Sequence, residues 1–269
     1  MGAVDVHSKH NINIVGAEHG PTIMLAHGFG CDQNLWRLVV DRLRTDFRLV
    51  LFDLVGAGSS DPDAWDATRY SSLSGYAADI LDIVNELALH DVIYVGHSVS
   101  AMIGALAAIE DPSRFAKLVL LTPSPCYIDD DEYRGGFSRA DIDELLESLE
   151  QNYLGWSAAM APVIMGTPDR PELQDELAET FCRTDPQRAR VFARTTFLSD
   201  NRADLTRISL PTLVIECSQD AIAPRQVGAY VHQHVSDSQL VTLDATGHCP
   251  HVSAPDLTAE AISAFARST

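Results

Sequence analysis

Apolar residues along this chain keep switching between the alternating repeat of a strand and the roughly 3.6-residue repeat of a helix, and few architectures accept that pattern. Strand-like runs fall at residues 11–15, 22–26, 47–52, 91–95, 117–121, 212–216 and 239–243. Helical faces stand between them. Leu35, Trp36, Val39, Val40 and Leu43 follow the capping candidate Asp32, and Tyr76, Ile80, Ile83, Val84 and Leu87 recur at helical spacing. Further helices are expected over 98–109 and about 256–266. Strands and helices taken in turn build a sheet covered by helices, so the fold class is α/β. The first two strands, joined by a turn at 16–21, read as an opening hairpin.

The alternation stops between residues 127 and 207, where only helical spacing is found: Ile142, Leu145, Leu146 and Leu149 on one face, Leu173, Leu177 and Phe181 on another. Pro171 and Pro186 stand where helices begin, the second behind the capping candidate Asp185. The domain reading is therefore a core of 1–126 and 208–269 interrupted by a helical cap at 127–207. No low-complexity linker separates the two, so the cap should pack on the core.

Charge and composition exclude other classes. Lys and Arg number 19 against 38 Asp and Glu, a formal net charge of −19, which repels nucleic-acid phosphates and anionic lipid. The longest apolar runs, such as 49–54 and 117–121, are far shorter than the roughly 18 residues that span a bilayer. Residues 1–15 show no cationic flank followed by an apolar stretch, and Cys31, Cys126, Cys182, Cys217 and Cys249 form no CxxC pair. A cytoplasmic protein with reduced thiols is the expectation.

The chemistry concentrates at Gly96, His97, Ser98, Val99 and Ser100, directly after an expected strand and before an expected helix. A sharp turn there lifts a serine hydroxyl above the sheet edge and aims a helix N-terminus at developing negative charge. Ser98 is thus the candidate nucleophile. Asp220 and His248 each lie just past a later strand, above the same sheet edge, in the chain order such a serine site requires. His248 would take the Ser98 proton, and Asp220 would hold the imidazole in the right tautomer. The backbone N–H groups of Phe29, in the loop His27 to Gly30, and of Val99 are the candidate oxyanion donors.

Other residues draw structural readings. His97 is read as a packing residue whose side chain points away from the site. Asp244, His248 and His251 fit no standard zinc spacing, and the glycines at 56 and 58 form no dinucleotide element, so neither metal nor cofactor is expected. Trp156, Met160, Phe192 and Phe197 are the cap residues named, with Phe29, as candidate pocket walls.

Residues 96–102, the His-Gly-Phe-Gly loop at 27–30, the loop 53–59 and the turn at Gly247 and His248 together resemble the RsbQ-type branch of the α/β-hydrolase fold family. That branch includes a bacterial stress-response regulator and the plant karrikin and strigolactone receptors. The resemblance runs over essentially the whole chain, and it makes Ser100, where the general pattern has glycine, a subgroup feature. It implies a mostly parallel eight-stranded sheet, a four-helix cap, a triad at Ser98, Asp220 and His248, and an apolar pocket for small esters or lactones. It also leaves two functional readings: a cofactor-independent serine hydrolase, or a slow-turnover ligand receptor acting through a partner such as a phosphatase.

Overall fold

The computed structural model describes residues 5–268. Strands β1 (Asn13–Gly16), β2 (Thr22–Ala26), β3 (Arg48–Leu51), β4 (Val92–His97), β5 (Phe115–Leu121), β6 (Thr212–Gln219) and β7 (Ser238–Thr246) form one sheet in the order β1-β3-β2-β4-β5-β6-β7. All neighbours are parallel except β1 and β3. These seven strands, among the described residues, are the seven apolar runs of the sequence; the family resemblance implied eight.

The opening hairpin is not formed. β1 pairs antiparallel with β3, which lies between β1 and β2. The reason is burial: Leu49, Val50 and Leu51 are apolar on both faces and need neighbours on both edges, whereas β1 is mostly exposed and serves as an edge.

Helix α1 (Val6–Lys9) precedes β1, and α2 (Arg37–Leu43), α3 (Leu73–Glu86) and α4 (Val99–Glu110) fall between the strands from β2 to β5. Alternate residues of each strand feed opposite layers. Ile23, Leu25, Ile93 and Val95 meet Val39 and Leu43 of α2, while Met24, Ala26 and Tyr94 meet Ile80 of α3 and Ile103 of α4. β4 is buried at all six positions, as a central parallel strand should be.

Between β5 and β6 stand four helices: α5 (Arg139–Gln151), α6 (Tyr153–Met165), α7 (Pro171–Arg183) and α8 (Pro186–Phe197). Local chemistry sets their ends. Ser138 and Asp141 form a reciprocal capping box, Asn152 accepts from the Gly155 N–H at 3.0 Å, and Asp185 accepts from the Gln187 and Arg188 N–H groups at 3.0 Å each. Pro171 and Pro186 occupy first helical positions, where a missing N–H costs nothing. Helices α9 (Arg225–His234), α10 (Pro250–Ser253) and α11 (Pro255–Arg267) complete the chain, with Ile262 and Phe265 of α11 closing the layer of α2.

Candidate active site

Ser98 caps α4 with φ 57° and ψ −123°, a left-handed backbone that a non-glycine residue holds only when its surroundings enforce it. Two glycines make room for the turn. A Cβ at Gly96 would lie 2.3 Å from the Ser100 carbonyl oxygen, and one at Gly28 would lie 2.6 Å from His97 Nδ1 and 3.3 Å from the Ser98 Cβ. The loop at 27–30 is thereby pressed against the serine. Ser100 explains its own departure from glycine: its buried hydroxyl donates to the His27 carbonyl at 2.5 Å and ties the turn to that loop.

The three residues singled out in sequence lie in one hydrogen-bonded line. His248 Nε2 is 2.7 Å from Ser98 Oγ, and His248 Nδ1 is 2.8 Å from Asp220 Oδ2. Asp220 turns its other oxygen to the Ile222 and Ala223 N–H groups at 2.8 and 3.1 Å, which fixes the carboxylate. The His248 backbone is held as firmly. Its N–H donates to the Ile164 carbonyl of α6 at 2.8 Å, and its carbonyl lies 2.8 Å from His97 Nε2 and accepts from Thr122 Oγ1 at 3.2 Å. Val99 opens α4, so its N–H has no acceptor within the helix, and Phe29 lies in the loop beside Ser98.

His97 and His251 pack together behind His248, with ring centroids 4.4 Å apart and planes tilted by 55°, and burial pulls both below the ordinary imidazole range, His251 to about 3. Both rings are therefore neutral at working pH, and neither adds a step to the pH dependence of activity. His251 also packs on Trp36 at 4.6 Å, and neither of its ring nitrogens has a hydrogen-bond partner among the described residues.

A stability prediction follows from that ring. Unfolded, it binds a proton below its ordinary value of 6.5; folded, it binds none until about pH 3, so stability is present above the upper value and lost on acidification between the two. His251→Phe keeps a ring in the same packing and removes the titration. From pH 6.5 to 5 the native chain should lose about 2 kcal/mol more than this variant in urea unfolding. Parallel losses in the two proteins would contradict the assignment.

Ser98 faces a narrow cavity of about 470 Å³, counting its mouth. Of the candidate walls, Phe29, Trp156, Met160 and Phe197 line it. Phe192 does not. It lies beyond Phe29, packed on Tyr76 at 4.7 Å, because the inward face of α8 is wide enough to serve two hollows. Phe29 is the hub of the walls, with Trp156, Phe181, Phe192 and Phe197 at 5.6–6.1 Å around it. His97 adds an edge to the same cavity from behind.

Sequence reasoning missed Tyr127, whose hydroxyl lies 3.5 Å from Ser98 Oγ. Burial pushes its pKa up to about 12, so it stays a donor across the working range. It lies in an aperiodic stretch beyond β5 that carries no local signal. Leu177 and Phe181 also line the cavity, and their shared helical face was the available clue. Burial pushes the Cys249 thiol well above its usual range, so this wall of the cavity is no nucleophile.

A model of the alpha/beta hydrolase family matches residues 23–261. The chain belongs to that family. It is 40% identical to Karrikin insensitive 2 receptor CA of Petunia hybrida, over 96% of this chain and 94% of that one. With Strigolactone esterase D14 of Arabidopsis thaliana it shares 40% identity over 91% of each chain. A hydrolase from Oleispira antarctica of known structure superposes with TM-score 0.95 at 40% identity, covering 98% of this chain and 97% of the other. These relatives place this hydrolase-family chain in the branch that holds the plant karrikin and strigolactone proteins.

Proposed function

We propose that the chain is a cofactor-independent serine hydrolase that cleaves a small, largely apolar ester or lactone through an acyl-enzyme. The observation that carries this reading is the line from Ser98 Oγ through His248 to Asp220, at 2.7 and 2.8 Å. Ser98 Oγ attacks the carbonyl carbon as its proton passes to His248 Nε2, and Asp220 stabilises the imidazolium. The oxyanion is received by the Phe29 and Val99 N–H groups. His248 then protonates the departing alkoxide, leaving the acyl group on Ser98. Water attacks this ester, giving its proton to His248, and the acid leaves as Ser98 recovers its hydrogen.

The helices α5–α8 act in this reading as the cap, spanning 127–207 over a core of 1–126 and 208–269. Their rings make the cavity apolar and narrow, which favours small apolar substrates and makes cap movement part of each turnover. The five described cysteines are all free thiols, which fits a reducing, cytoplasmic setting.

A second reading is favoured by the 40% identity to a protein named as a receptor: a ligand-operated regulator that keeps the same serine chemistry, turns over slowly and acts through a protein partner, by resemblance a phosphatase. Product release under excess p-nitrophenyl acetate separates the two. Hydrolase function predicts sustained multiple turnover, at or below about 10 s⁻¹ because the cap limits access. A burst of one equivalent followed by near silence would transfer the reading to the receptor.

A further inference from the structure

The Phe29 ring walls two hollows. One is the Ser98 cavity. The other, a smaller cleft nearly filled by its walls while the ring is in place, lies on the far side of the ring, is walled by Val55, Tyr76, Ala189 and Phe192, and reaches the surface beside Gly56 and Arg188. Nothing in the serine chemistry uses it. Its inner walls are apolar, and its mouth is edged by the Arg188 guanidinium, which donates to the Pro62 carbonyl at 3.1 Å and stands 5.9 Å from the Trp65 ring centre.

We propose that the two hollows are halves of one substrate site partitioned by the Phe29 ring, and that the outer half takes the far end of an unbranched acyl chain when the ring turns aside. The inference rests on the ester-hydrolase reading and adds to it the shape of the acyl group. Geometry supports it in three ways. Phe29 can rotate its ring about Cα–Cβ while its backbone N–H stays beside Ser98, so opening the partition leaves the oxyanion position in place. The ring's neighbours on both sides are other rings at 5.6–6.1 Å, an apolar packing in which one aromatic edge can exchange for methylenes at small cost. Phe29 and Tyr76 both pack against the Phe192 ring, at 5.6 and 4.7 Å, so a gap opened by turning Phe29 alone is narrow, which suits a thin chain and rejects a branched one.

The test compares kcat/KM for p-nitrophenyl octanoate and p-nitrophenyl acetate, read as a ratio so that the amount of folded protein cancels. Ala189→Leu fills the outer hollow from α8 with a residue of good helix propensity at a buried position. It should lower the octanoate-to-acetate ratio about tenfold or more, the scale on which pockets discriminate methylene groups. Phe29→Leu, which thins the partition, should raise the same ratio. An unchanged ratio in both variants, or shifts in the opposite directions, would overturn the proposal. Binding of sodium octanoate to Ser98→Ala, followed by thermal shift, needs no turnover: loss of that binding on adding Ala189→Leu supports the outer hollow, and undiminished or absent binding contradicts it. Absence of hydrolysis in the native protein would thus sink the hydrolase reading while leaving the hollow separately decided.

Discussion

Replacing Ser98 by alanine is expected to lower p-nitrophenyl acetate hydrolysis by about 10⁴- to 10⁶-fold, to near the uncatalysed background. The size of the effect comes from the absence of any substitute. Cys31 and Cys249 line the same cavity, but burial pushes both thiols upward, away from the reactive thiolate. The Tyr127 hydroxyl, 3.5 Å away, stays protonated. Thermal unfolding should scarcely change, because the hydroxyl's loss creates little cavity and leaves the His248–Asp220 bond intact. Residual activity above about a hundredth of native, with the fold retained, would place the nucleophile elsewhere.

Asp220→Asn should cost about 10⁴-fold in kcat with the fold unchanged. The backbone explains why an isosteric change is so damaging. The Ile222 and Ala223 N–H groups donate to one oxygen of Asp220, so an asparagine would keep its carbonyl oxygen there and turn its NH₂ toward His248 Nδ1. A donor at that place forces the imidazole proton onto Nε2, which then cannot accept from Ser98. Asp244→Asn is the control: Asp244 is exposed and lines a polar surface hollow with Arg170 and Ser218, apart from Ser98. A large loss from the Asp244 variant and a small one from the Asp220 variant would reverse the assignment of the acid.

What could be read in the sequence was local. The turn at Ser98 announces itself because a strand, a small-residue bend and a helix follow one another within a few residues, and Asp220 and His248 inherit their places from the strand ends they follow. Helix starts at Pro171 and Pro186 were legible for the same reason, since capping chemistry acts within one turn. Pairing was not. That β3 lies between β1 and β2 depends on how much apolar surface each strand offers to partners distant in sequence, and the short connection at 16–21 suggested the hairpin instead. The cap shows a similar boundary: Phe192 and Phe197 can both be named as candidate walls from the sequence, but only three-dimensional packing sends Phe197 to Ser98's cavity and Phe192 to the hollow beyond Phe29.

Whether Ser98 carries the acyl group between two half-reactions is decided by acid-quenching the protein during turnover of p-nitrophenyl octanoate or acetate and measuring the mass of its peptides. The peptide containing Ser98 should gain one acyl group, absent from Ser98→Ala and accumulated in proportion to how slowly water resolves it. Hydrolysis that proceeds with no acyl adduct at any point, or with the adduct on Cys249 or another residue, would contradict it.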